Sequence, residues 1–151
     1  MKAGVFEVDV TPEIGGPIAY GINNKVDSKI FIRGVVIDDS KKRIVMASCD
    51  FIYIWGGAYE QMKKIIAKAA GTTAQNVFLH AVHQHDSVRI ALELNEMYIK
   101  YRGFETTPLA YYKRICKDLE DAVSKTVPKM KTVKSIATSE RRVSGLASNR
   151  R

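Results

Sequence analysis

Cysteine is scarce in this chain: Cys49 and Cys116 are the two thiols in 151 residues. They make no CxxC pair and no zinc-finger spacing, which excludes a disulfide scaffold and a zinc ribbon and predicts free thiols in a cytosolic chain. With only 4 prolines and 10 glycines, collagenous and low-complexity architectures are excluded as well. Long apolar runs are absent. The longest near-apolar stretch, 51–58, lies between Asp50 and Glu60, far short of the roughly 20 residues a membrane span needs. No export signal is expected, because the opening MKAGVFEVDVTP carries Glu7 and Asp9 where a signal peptide keeps an apolar run. The expected location is cytoplasmic. The chain has no HExxH, GxSxG, Walker loop or GxGxxG, so none of those chemistries is announced by a motif.

What is present suits one folded domain. The composition is 46% hydrophobic and 26% charged, and a chain of this length buries roughly 70% of its extended surface. Seven basic residues lie in 129–151 against one acid, Glu140, placing +6 of the net +8 there. That stretch contains no basic helix and no glycine-aromatic element, and the tyrosines are not interleaved with it. It reads as a solvated strand and an exposed end, and a nucleic-acid partner is not expected.

Alternation and β-branching predict strands over 3–10, 30–38, 43–49 and 77–82. The polar turn 38–42 predicts that the second and third form a hairpin. Residues 57–70 repeat apolar groups at Met62, Ile65, Ile66 and Ala69, the spacing of an amphipathic helix with Gly71 just past its end. A strand–helix–strand order then predicts a parallel crossover. Residues 87–101 read as partly helical. Thr106-Thr107-Pro108 reads as a helix start, with a hydroxyl cap before the stripe Tyr112, Ile115, Cys116, Leu119, Ala122, Val123. A fifth strand is expected over 131–138. The fold class is α/β, a mixed sheet with packed helices.

The candidate chemistry lies in His80-Ala81-Val82-His83-Gln84-His85-Asp86-Ser87, which holds all 3 histidines of the chain. It follows an apolar strand, and the strand ends of open α/β sheets are where ligands bind. In an extended segment His83 and His85 point to one side, as two imidazoles facing a divalent ion would. Asp86 is placed to hold one of them in a fixed tautomer, and Asp50, just past a strand end, can face the same pocket. Against this stands the bland reading of a surface histidine cluster. Gly15-Gly16 beside Pro17 offers either a close backbone approach to a ligand or a plain turn.

Four segments in order carry a resemblance. AGVFEVDVTPEIGGP (3–17), IRGVVIDDSKKRIVMASCD (32–50), NVFLHAVHQHDS (76–87) and SGLASNRR (144–151) resemble the N-terminal part of the neutral/alkaline ceramidase family. The resemblance implies a ceramidase-like catalytic-domain portion over 1–151 and a zinc-dependent amide hydrolase that splits N-acylsphingosine, a reaction of lipid metabolism. It implies that His83, matching the first histidine of the family's H-T-H, binds zinc. His85, matching the second, would contact the substrate or the transition-state oxygen, and Arg150, in the N-R-R-like end, is a candidate for meeting the developing oxyanion. The sequence departs from the family at Gln84, where the family has threonine, and at Asp86-Ser87-Val88, where it has S-G-P. Family enzymes are several times longer, and their other ligands, a histidine, a glutamate and a tyrosine, fall beyond residue 151. The expectation is therefore a fragment with an incomplete, weak zinc site, inactive alone, that associates with itself or with the missing C-terminal portion. The alternative is a non-catalytic binding or assembly module that retains the fold.

Overall fold

The computed structural model describes residues 1–145. The chain forms strands β1 (Lys2–Asp9), β2 (Pro17–Ile18), β3 (Gly21–Ile22), β4 (Phe31–Asp38), β5 (Arg43–Cys49), β6 (Tyr53–Ile54), β7 (Val77–Ala81), β8 (Arg89–Ile90) and β9 (Lys131–Thr132). Its helices are α1 (Gly56–Ala70), α2 (Leu92–Arg102) and α3 (Leu109–Thr126). The main sheet runs β7-β5-β4-β1-β9. It is antiparallel except for the β5–β7 pair, which is parallel with Cys49 opposite Ala81. The expected hairpin and the crossover through α1 are both present.

The pleat sorts side chains onto two faces. Phe6, Val8, Ile32, Val36, Val45, Ala47, Cys49, Val77 and Leu79 point inward and are buried beneath α1 and α3. Those helices contribute Met62 and Ile66, and Tyr112, Ile115, Leu119 and Val123. Both thiols are buried and free, and burial pushes the Cys49 thiol far above its ordinary range. The opposite face carries cross-strand rows set by register. One row is apolar, Val5–Val35–Met46–Phe78, and the next, nearer the C-terminal end of β5, is polar, Glu7–Arg33–Ser48–His80. No described helix covers it: Val5 is 79% and Phe78 59% exposed.

The β4–β5 turn is closed by Asp39, whose carboxylate accepts the amides of Lys41 and Lys42. Arg43 pairs with Asp38 at 2.6 Å and donates to the carbonyl of Ala70 at the end of α1. Gly71 takes the left-handed conformation (φ 66) that ends α1, as its position predicted.

Two local expectations, the cap of α3 and the extent of the last strand, are corrected. α3 begins after Pro108 with no side-chain cap. The Thr107 hydroxyl instead donates to the carbonyl of Arg89, a tertiary bond that outcompetes the local one. The 87–101 segment is partly helical as expected, with α2 beginning after β8, which pairs in parallel with β6. The strand expected over 131–138 shrinks to Lys131–Thr132, and the basic stretch that follows is mostly exposed through residue 145. No helix among the described residues is long and apolar enough to cross a membrane.

Candidate functional site

The parallel β5–β7 pair brings two loops to the same end of the sheet, 50–52 after β5 and 82–87 after β7. Pairing continues briefly past the strands. The Val82 amide donates to Cys49 and the His83 amide to Phe51, at 3.0 and 3.1 Å. The chain then leaves the extended path, because His83 has φ 64. Ser87, buried, donates its hydroxyl to the Asp50 carbonyl, stitching the two loops together.

His83 and His85 do come together, with ring centroids 4.9 Å apart and planes at 78°. The cause is the turn at His83 and not the strand alternation expected from sequence. His83 Nδ1 lies 2.7 Å from the carbonyl oxygen of Ile52. A carbonyl only accepts, so Nδ1 carries the proton, and it is in the Nδ1–H tautomer that Nε2 presents a bare lone pair. That is how a metal-binding imidazole is normally oriented. The orienting acceptor is thus a backbone carbonyl; the expected carboxylate, Asp86, makes no side-chain bond to either ring among the described residues.

His85 faces Tyr20, whose hydroxyl is 3.5 Å from His85 Nδ1. Tyr20 comes from the β2–β3 turn and was missed at the sequence level. Its only signal was a tyrosine placed beside Gly21 in a glycine-rich loop. Asp50 accepts hydrogen bonds from the Phe31 amide at 2.9 Å and the Arg33 guanidinium at 3.2 Å. It anchors β4 to the loop and is engaged on that side. His80 points to the outer sheet face, its ring tilted at 46° to that of Phe78 with centroids 5.7 Å apart, away from the other two histidines. Gly15 and Gly16 build a turn: their backbones bond to Asn23, and Gly15 has φ 87. Arg150 lies outside the described residues. Among the described residues no three His, Cys, Asp or Glu side chains are grouped as metal ligands. The arrangement offers one oriented, exposed imidazole, a second beside it, and a phenol within reach.

No family model matches the sequence, and no curated protein matches it significantly. Solved structures do. The crystal structure of neutral ceramidase from Pseudomonas aeruginosa aligns with a TM-score of 0.64 at 17% identity, over 86% of this chain and 22% of that one. A ceramidase complexed with C2 aligns with a TM-score of 0.62 at 16% identity, over 86% of this chain and 21% of that one. The chain spans about a fifth of the length of the ceramidases it matches, and over that span its fold is ceramidase-like.

Proposed function

We propose that this chain is a portion of a zinc-dependent amide hydrolase of the neutral-ceramidase type, inactive by itself, with His83 as a zinc ligand and His85 facing the scissile amide. The reading is carried by the 2.7 Å contact between His83 Nδ1 and the Ile52 carbonyl, which frees Nε2 for a cation. The fit to zinc is partial. Catalytic zinc takes three protein ligands and an open position, and the described residues supply one oriented donor and no three-ligand group. When bound in a complete centre, zinc polarises the amide carbonyl and acidifies a water. Here the residues support ligand binding at His83, and no catalytic step follows from them alone. The substrate class, an N-acylated lipid amine, rests on the resemblance and on the ceramidase fold. Arg150 keeps its proposed role at the developing oxyanion, and a partner supplying the remaining ligands is part of the same proposal.

The second reading, a binding or assembly module that kept the fold, is favoured by the missing three-ligand group and by Gln84 and Asp86 after the first histidine. Calorimetry of metal-free 1–151 with Zn²⁺, alongside release of fatty acid from N-acylsphingosine, separates the two. Weak one-to-one binding that disappears in His83→Ala, with no turnover, is expected. A sub-nanomolar site lost in the same variant would overturn the incomplete-centre argument. Binding unchanged in His83→Ala would remove His83 as the ligand and leave the module reading.

A further inference from the structure

A cavity of about 320 Å³ lies between the 12–17 loop, Val88–Arg89 and the start of α3. Its residues differ from those of the histidine pair. Much of its wall is apolar, from Pro12, Pro17, Val88, Pro108 and Ala110, with Tyr111 beside them. Tyr111 is tied down through its hydroxyl, which donates to the Val10 carbonyl. Two arginines, Arg89 and Arg114, also belong to the lining. Arg114 is committed: it donates to the carbonyls of Asp9 and Thr11 and to the carboxylate of Asp118, each at 3.3 Å.

Arg89 is different. Its backbone is fixed in β8, and its carbonyl accepts the Thr107 hydroxyl at 2.9 Å. Its Nε is buried and has no hydrogen-bond partner. None of the ion pairs among the described residues involves it. Glu13, the carboxylate in the same wall, makes no ion pair with either arginine. A buried N–H without an acceptor is costly unless something supplies one.

We infer that this cavity binds the carboxylate of a compact organic acid, with Arg89 as the anchoring residue. The guanidinium fork matches a carboxylate in two parallel hydrogen bonds. The apolar wall suits a small aliphatic or aromatic body, and the volume lies at the lower end of the usual range for small-molecule pockets. A bare inorganic anion would satisfy Arg89 and leave the apolar wall unfilled. The inference does not depend on the proposed hydrolase chemistry, because it uses neither histidine and no metal.

Amide resonances of the full chain, followed by two-dimensional NMR during titration with benzoate, benzyl alcohol or inorganic phosphate, test it. Benzoate should give saturable shifts clustered at 12–17, 88–89 and 106–111. Arg89→Met should weaken its binding about tenfold or more, the loss expected for a charge-assisted pair. Arg89→Lys should retain part of the affinity. Ala110→Leu, at an exposed position in the lining, should weaken binding by filling space while leaving the Arg89 side chain unchanged. If Arg89→Met fails to fold, the lysine and Ala110 variants decide. The inference is overturned if benzoate gives no saturable response, or if benzyl alcohol binds as well as benzoate. It is also overturned if phosphate binds there as tightly, or if the folded variants bind benzoate unchanged.

Discussion

His83 shows how a single residue can place a site without any periodic signal. Its left-handed backbone is uncommon outside glycine and is held by its surroundings: the amide bonded to Phe51 and the ring bonded to Ile52. A sequence shows the HxH spacing but not the two carbonyls that turn it. The pair of imidazoles was therefore legible, and the way they meet was not. Asp9 makes a second residue-scale point. Lys29, at 2.7 Å, and the Thr11 hydrogen bonds lower its carboxyl to about 2. The folded value lies below the ~3.9 of an unstructured aspartate. The stabilisation is therefore complete above that value and is lost as pH falls toward 2. Because Asp9 is 39% exposed, solvent and salt keep the effect small. Urea unfolding midpoints at pH 5 and pH 3 should fall less in Asp9→Asn than in the parent. An equal fall in both would exclude this pair as a source of the acid sensitivity.

At the scale of elements, the long strands and the two amphipathic helices were readable to within a residue or two, because each buries one face and shows its period. The two-residue pairings β2–β3 and β6–β8 carry no period and are fixed by the rest of the fold. The α2–α3 junction is of that kind. Asn95, buried in α2, accepts the amides of Thr106 and Thr107 at 2.7 and 2.9 Å. One side-chain oxygen thereby satisfies the backbone just ahead of α3. Nothing in the spacing of Asn95 from Thr106 announces that bond. Asn95→Ala strands two amides in a dry setting, which costs about 2–3 kcal/mol and lowers Tm by roughly 5–10 °C. Asn95→Asp keeps the acceptors and should recover most of the loss at neutral pH. Thermal unfolding of the three proteins followed by circular dichroism checks this, and an alanine variant as stable as the parent would remove the junction role.

For the whole molecule, the row Val5–Val35–Met46–Phe78 matters most. Each strand contributes one apolar side chain to a surface that α1 and α3 leave bare, and an apolar sheet face of this kind is normally covered. Concentration-dependent self-association is expected. Sedimentation velocity over a hundredfold range should show it, and Phe78→Lys, at a 59% exposed position, should reduce it without unfolding the chain. An ideal monomer at the highest concentration would count against the face as a contact surface. The ceramidase-like fold was expected from four ordered segments; the structural likeness, at 17% identity, bears out the fold over 86% of the chain, and most of the fourth segment lies outside the described residues.

The place of β7 at one margin of the sheet has a further consequence for how the chain behaves in company. Its Val77-Phe78-Leu79 run contains no proline and no charge, two of the devices that blunt a strand edge. The opposite margin is guarded differently. β9 pairs only Lys2 and Ala3 of β1, and Glu7 and Asp9 follow along the same strand. Among the described residues the two margins of the sheet are therefore unlike: the β7 margin carries an uncharged apolar run, and the β1 margin carries acidic side chains beside its short partner β9.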